Sequence, residues 1–450
     1  MAQFFKEKPT RSATKPQKIS VTVQSLDHLA QGVAQHQGKV VFVAGALPGE
    51  KVQLQLTENK KQYAKGKLLN IETVSEQRIT PACPHYQRCG GCNLQHLGHQ
   101  QQAEHKRRAL RELYSRLANL SEQQQAQLPQ IDEVLSAAWG YRRKARLSSW
   151  YDRQQKQFTL GFRGRESSKV VGIDACPVLE PELSALIKPV AAALARLQAV
   201  ATLGHVELIA TESQPMVVIR VTQPLAAKDE ERLLELAERL NCAMVLEHAD
   251  EQWQYLRGEQ PKYRLLTATK SLSLSFNPGN FIQVNAGVNQ QMVSRAVEWL
   301  APKSGEKVLD LFCGMGNFSL ALAESGAQVT GVEGVSNLVE LATANAAKAG
   351  FDNAQFFCSD LNNALKREPW FGKVDKLLLD PSRAGAFDAL AHLAKLSPER
   401  VVYVSCNPVS LARDSQQLFK QGYQLQRLTA LDMFPQTHHI EAMALFVRAK

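Results

Sequence analysis

From about residue 285 onward, short apolar runs alternate with helical stretches, and this regularity constrains the fold more than any other feature of the chain. The runs are Lys307–Phe312, Gln328–Glu333, Gln355–Ser359, Val374–Asp380 and Val401–Ser405. Strands that alternate with helices predict parallel pairing with helices on both faces. Two closing runs, near Gln424–Leu431 and Ile440–Val447, have no helix between them and predict an antiparallel hairpin at the end of the same sheet. Residues 271–450 therefore read as an α/β domain with a seven-stranded, Rossmann-like sheet.

The chain before it has a different texture. Residues 1–17 read as a basic, polar tail. Residues 18–79 show short β runs at Ser20–Val23, Gly38–Val43, Lys51–Leu56 and Gly66–Ile71, the spacing of a small OB-like β-barrel. Its segment Lys60–Lys65 mixes cations with Tyr63, a composition suited to single-stranded nucleic acid. Residues 80–270 read as a central α+β domain. It opens on cysteines, continues into a basic helix over Gln100–Leu117 containing Lys106, Arg107 and Arg108, and includes a helix near Asp229–Leu240.

The net charge of +10 points to a polyanionic partner, RNA or another nucleic acid. No apolar run approaches the roughly 18 residues of a membrane span, and the polar N-terminus does not read as a signal peptide. Eight cysteines in 450 residues are too few for a secreted disulfide scaffold. Reduced thiols and a cytoplasmic location are expected.

The ends of the first, fourth and fifth strands carry polar groups that would share one crevice, and the second and third strands add carboxylates. The first continues into Cys313-Gly314-Met315-Gly316-Asn317, which lacks the third glycine of a dinucleotide fingerprint. A nucleoside cofactor without a pyrophosphate needs only this shorter turn. Glu333 ends the second strand and suits ribose hydroxyls, and Asp360 follows the third, where an adenine edge would lie. S-adenosyl-L-methionine fits these requirements. The fourth strand ends in Asp380-Pro381-Ser382-Arg383, where Asp380 suits the cofactor or a substrate ring and Arg383 a phosphate.

The fifth strand ends in Ser405-Cys406-Asn407-Pro408. A thiol there suits covalent activation of a poorly nucleophilic ring carbon such as C5 of uracil: thiolate addition at C6 makes C5 able to attack a methyl donor. A base must then take the C5 proton so that the thiolate can leave. Cys406 is the candidate nucleophile and Glu441, opening the last strand, the candidate base. Cys242, Cys313 and Cys358 lie in apolar surroundings and read as structural. A second group is Cys83-x5-Cys89-x2-Cys92 with Cys176 far downstream. Four thiolates can hold zinc or an iron–sulfur cluster, and the spacing leaves both open.

Taken together, these motifs resemble those of the RNA uracil-C5-methyltransferase family. Phe281-Ile282-Gln283-Val284-Asn285, the glycine turn, Asp380-Pro-x-Arg-Ala-Gly385, Ser405-Cys-Asn-Pro408 and Asp432-Met-Phe-Pro-Gln-Thr437 occur in order, and the resemblance covers nearly the whole chain. It implies a TRAM domain as the N-terminal barrel, a central RNA-binding domain and a methyltransferase domain. It implies cofactor contacts at Gln283, Phe312, Asn317, Glu333, Asp360 and Asp380, with Cys406 as nucleophile and Glu441 as proton acceptor. It also implies a [4Fe-4S] cluster on Cys83, Cys89, Cys92 and Cys176. The implied partner is 23S rRNA, with no DNA and no membrane, and the chain is expected to act as a monomer. Relatives that act on tRNA lack the barrel and the cluster, and so resemble it less.

Overall fold

The computed structural model describes residues 17–126, 128–249, 252–361 and 368–449. The basic tail expected over 1–17 lies, apart from Gln17, outside the described residues. The chain divides into two compact units, one running to Thr80 and including His96–Gly98, the other made of Pro81–Gln95 and everything from His99.

In the first unit five strands, β1 (Lys18–Leu26), β2 (Gln31–His36), β3 (Lys39–Ala44), β4 (Lys51–Asn59) and β5 (Tyr63–Thr73), close a barrel in the order β1-β2-β3-β5-β4. Alternate residues point inward, so Ile19, Val21, Val23, Val41, Val43, Val52 and Leu54 fill its centre. The sequence pattern misses β2, whose Gly-Val-Ala-Gln run is weakly apolar. Glu50 is fully buried beneath the barrel, and Arg78 grips it through Nε at 2.5 Å. Burial alone would raise the Glu50 pKa, but Arg78 and the Leu47 and Ser75 amides hold it below the ordinary value.

In the second unit the cysteine segment leads into helices α1 (His99–Leu117) and α2 (Glu122–Ala126) and strand β6 (Ile131–Val134). A central sheet follows, made of β7 (Lys144–Asp152), β8 (Gln157–Arg163), β9 (Val170–Gly172), β10 (Leu203–Ile209), β11 (Met216–Val221), β12 (Ala243–Glu247) and β13 (Trp253–Arg257). Its order is β13-β12-β11-β10-β7-β8-β9. Helices α3 (Pro181–Leu194) and α4 (Ala227–Arg239) cover one face, where Ile187, Val190, Leu233 and Leu236 pack on Leu147, Leu208, Val217 and Ile219. From the other face Ile209, Met216, Val218 and Val245 enter the core of the C-terminal region, together with Leu265 and Leu274 of the hairpin β14 (Lys262–Leu266) and β15 (Ser271–Ser275).

The C-terminal region begins with α5 (Ala286–Leu300) and then alternates as the pattern predicts: β16 (Lys307–Leu311), α6 (Ser319–Ala323), β17 (Gln328–Glu333), α7 (Ser336–Ala349), β18 (Ala354–Cys358), β19 (Lys376–Leu379), the short α8 (Phe387–Leu390) and α9 (Leu393–Leu396), β20 (Arg400–Ser405) and α10 (Pro408–Lys420). The last two strands, β21 (Tyr423–Leu431) and β22 (Glu441–Arg448), form the expected antiparallel hairpin. The sheet order is β18-β17-β16-β19-β20-β22-β21-β6. The chain runs outward from β16 to β18, then crosses back to β19 on the other side of β16. This reversal opens a crevice at the carboxyl ends of β16 and β19. Helices or neighbouring segments cover both faces, which is why β19 and β20 are apolar almost throughout.

One boundary differs from the sequence reading. Residues 80–270 do not form a single central domain. Strand β6 is an eighth strand of the C-terminal sheet, parallel to β21, and Leu110 and Tyr114 of α1 pack into that sheet's core with Tyr403, Leu411 and Leu428. A four-residue strand in a polar segment carries no signal of which sheet it joins. The basic reading of α1 also changes: Lys106 is buried, while Arg108 stays exposed.

Candidate active site

The glycine turn after β16 is held in a strained, defined shape. Phe312 has φ 65°, unusual for a bulky residue, and Gly314 and Gly316 have φ 55° and 96°. The amides of Phe312 and Cys313 both donate to Val332 O, at 2.8 and 3.1 Å. The amide of Gly314 donates to Glu333 Oε2 at 3.2 Å and that of Val335 to Glu333 Oε1 at 3.1 Å, so one carboxylate ties the ends of β16 and β17 together. Asn317 accepts from Tyr263 Oη at 3.0 Å and pairs with Asn289. Gln283 is buried, and its carbonyl accepts from Arg143 Nε at 2.8 Å. Asp360 is exposed just beyond β18, next to Ser359, whose amide donates to Glu333 O at 3.0 Å.

Beneath the turn lies Asp310, fully buried. Its Oδ2 accepts from Ser319 Oγ at 2.5 Å, while Oδ1 has no partner among the described residues. Burial, with the charges of Asp380 and Glu333 adding to it against the Ser319 hydrogen bond, pushes its pKa up to about 7. Asp380, at the end of β19, is also pushed up by burial to about 7. An orphaned carboxyl oxygen and two carboxyls held up in pKa suit a ligand bearing positive charge, as a sulfonium with an α-ammonium group does.

Cys406 follows β20. Its turn is closed by two hydrogen bonds of Ser405 Oγ, which donates to Asn407 O at 2.9 Å and accepts from Asn407 N at 3.1 Å. Asn407 then caps α10, accepting from Val409 N, and Pro408 takes the first helical turn. Strand pairing sets Ser405 opposite Ala442 as the last β20–β22 pair, and Cys406 and Glu441 each lie one residue beyond it. Glu441 is buried, and burial with the nearby charge of Asp380 pushes its pKa up to about 8. The Cys406 thiol is raised by burial first, then by Glu441 and Asp380, and lowered by Arg383. Arg383 is exposed, makes no ion pair among the described residues and so does not serve as a structural salt bridge. The turn bearing it is anchored by Asp414, whose Oδ2 accepts from Ala386 N and Tyr403 Oη, both at 2.7 Å. Sequence reasoning passed over Asp414 and Tyr403, whose spacing shows only an aromatic strand and a polar helix face.

The four cysteines of the second group come together. Cys83, Cys89, Cys92 and Cys176 are all partly buried. Burial first, then Cys176, Cys89 and Cys83, raise the Cys92 thiol to about 12, against a hydrogen bond with Gln95. No three or more His, Cys, Asp or Glu side chains among the described residues stand in an arrangement ready to hold a metal ion. Arg165 ties the loop to the central sheet, donating from Nη2 to Cys92 O at 2.8 Å and stacking on Tyr86 at 4.5 Å. Of the remaining cysteines, Cys242 and Cys313 are buried, but Cys358 is exposed at the edge strand β18, contrary to the apolar setting read from sequence.

No helix among the described residues is long and apolar enough to cross a membrane. The family model tRNA (Uracil-5-)-methyltransferase matches residues 104–449, and the TRAM domain model matches residues 13–69. The 23S rRNA (uracil(1939)-C(5))-methyltransferase RlmD of Shewanella halifaxensis is 52% identical over 449 residues, covering 99% of both chains. Its namesake in Shewanella piezotolerans is 51% identical over 453 residues, covering 100% of both. Among solved structures, the Pyrococcus abyssi tRNA (uracil-54, C5)-methyltransferase in complex with S-adenosyl-L-homocysteine superposes with a TM-score of 0.72 at 23% identity, over 95% of this chain and 100% of that one. That likeness carries the fold. By full-length identity and family match together, the chain belongs to the RNA uracil-5-methyltransferase family and carries a TRAM domain at its N-terminal end.

Proposed function

We propose that the chain methylates C5 of a uridine in 23S rRNA, the uridine at position 1939 for which its relatives are named, and that S-adenosyl-L-methionine supplies the methyl group as an electrophilic sulfonium. One observation supports the mechanism: Cys406 and Glu441 each lie one residue beyond the last β20–β22 pair, Ser405 with Ala442, and Asp380 acts on both while Glu441 acts on Cys406. Cys406 Sγ, as the thiolate, adds to C6 of the uracil, and the electron pair of the C5=C6 bond moves into the ring enolate. C5 would then take the methyl group, the sulfonium sulfur keeping the electron pair of the broken S–C bond and leaving as a neutral thioether. Glu441 accepts the proton left on C5, the electrons of that C–H bond restore C5=C6, and the thiolate departs. Gln283, Phe312, Asn317, Glu333, Asp360 and Asp380 would line the cofactor. The cofactor's positive charge would lower the pKa values of the carboxyls facing it, which leaves Glu441 more fully ionised for its role. Phe281, 69% exposed two residues before Gln283, offers a ring on which a base extracted from its stack can lie. Arg383 is free to hold a phosphate.

The cysteines Cys83, Cys89, Cys92 and Cys176 would hold a [4Fe-4S] cluster. No electron transfer is needed in the reaction, so its role is to fix the loop that carries them. The experiment that tests the mechanism pairs two variants with a denaturing gel. Cys406→Ala should abolish turnover without forming any protein–RNA adduct, and Glu441→Gln should accumulate a covalent adduct with methylated RNA. An adduct in Cys406→Ala, or inactive Glu441→Gln without one, overturns the assignment.

A further inference from the structure

The segment Asp432–Ile440 joins β21 to Glu441, and none of the chemistry above uses its side chains. Asp432, Phe434, Pro435, Gln436 and His438 are nonetheless held by groups from outside the hairpin. Asp432 accepts from Lys106 Nζ and His99 Nε2, each at 2.7 Å. Lys106 Nζ also donates to Phe434 O at 2.9 Å, and Tyr141 Oη donates to Pro435 O at 3.0 Å. Gln436, in a left-handed conformation with φ 68°, exchanges two hydrogen bonds with Gln102 at 2.9 and 3.0 Å. Its carbonyl accepts from the amides of Asn93 and Leu94 at 3.1 and 3.0 Å. Asn93 Oδ1 accepts from His438 N at 2.9 Å, and Asn93 Nδ2 donates to His438 Nδ1 at 2.8 Å. Asn93 directly follows Cys92, whose carbonyl is held by Arg165.

We infer that the cysteine segment, through Asn93 and Leu94, positions the segment Gln436–Ile440 and thereby sets the place of the Glu441 carboxylate for removal of the C5 proton. The inference rests on Glu441 being the base. A β-hairpin normally fixes its own connection by a tight turn. Here the connection is nine residues long and has no strand pairing of its own, so its shape is imposed by groups that arrive from residues 93–106 and 141. The two contacts of Asn93 with His438 lie three residues before Glu441. A displacement of about 1 Å at a reacting group costs on the order of a hundredfold in rate. Asn93 and Gln102 are therefore positioning residues: neither touches the ring, and both act through the chain that ends in Glu441.

The test measures the proton-removal step itself. Asn93→Ala removes both side-chain contacts with His438 and is half-buried, so the loop loses little else. With rRNA carrying 5-deuterated uridine, the variant should slow at least tenfold, show a primary isotope effect on turnover larger than that of the unmodified enzyme, and accumulate adduct. Its affinity for S-adenosylmethionine should change less than about threefold. Asn93→Asp keeps the acceptor for His438 N and should recover part of the rate. Gln102→Leu, which acts on the same segment from α1, should show the same isotope effect. A rate loss in Asn93→Ala and Gln102→Leu without adduct and without an enlarged isotope effect overturns the inference, as does an unchanged rate in both. Glu441→Gln run alongside separates the two failures. Adduct in Glu441→Gln but not in Asn93→Ala leaves the base assigned and the positioning role refuted, whereas no adduct in either refutes the base.

Discussion

Replacing Glu441 by Gln should stabilise the protein at neutral and alkaline pH while it blocks turnover. The carboxyl has an ordinary value of 4.5 and is pushed up to about 8 by burial and by Asp380. The folded state thus keeps a proton that the unfolded chain releases. Wild-type stability should fall as pH rises from about 4.5 to about 8, and level off above that. At about 1.4 kcal/mol for each pH unit, the full displacement corresponds to about 5 kcal/mol. Relaxation around the charge, and repulsion shared with Asp380, reduce this to about 2–4 kcal/mol. Gln cannot ionise, so the variant should match wild type near pH 5 and exceed it by that amount at pH 8.5. For a cooperative unit of 150–250 residues this is a gain of roughly 5–10 °C or more in Tm. Calorimetry of both proteins without cofactor, at several pH values from 5 to 8.5, measures it. Parallel curves over that range would refute a carboxyl held protonated in the crevice. A variant less stable than wild type at pH 8.5 would refute it more strongly.

Gly385→Ala should cost about 1–3 kcal/mol, because Gly385 has φ 88° and a Cβ there would press on Asp414 Oδ2 and come within 2.6 Å of Arg413 Nη2. The turn bearing Asp380 and Arg383 should shift with it, so kinetics on the variant should show a lower kcat as well as a lower melting point. RNA affinity should fall steeply with salt, a log–log slope that Arg383→Ala reduces by about one if that side chain holds a phosphate. Anaerobically purified protein should hold about four irons, and Cys176→Ser should lose them as fully as Cys92→Ser; stoichiometric zinc in the native protein would overturn the cluster.

Much of the candidate site was legible because its residues stand where strands end. Glu333, Asp380 and Cys406 each close or follow an apolar run, and in a sheet of alternating strands and helices such positions collect along one edge. Glu441 was legible for the same reason, since a hairpin strand antiparallel to β20 must begin where β20 ends. Cys176, more than eighty residues downstream, was grouped with Cys83, Cys89 and Cys92 from the sequence as a distant fourth thiol, and the structure adds that the thiols feel one another's charge.

Other features are silent in sequence because they depend on contacts between distant segments. Lys106 reads as one cation in a basic run, and only the position of α1 against the C-terminal sheet turns it inward onto Asp432. Strand β6 is too short and polar to announce its sheet, and it is settled by the open edge of β21. The Asp432–Thr437 motif could be noticed but not explained until Asn93, Gln102 and Tyr141 were seen to hold it. Local pattern therefore determined most of the strands, the crevice and which polar residues stand at its edge, because those follow from hydrophobic period and chain order. Only the tertiary structure decided which buried polar groups satisfy one another, because a hydrogen bond across more than 300 residues leaves no trace in the periodicity of either partner.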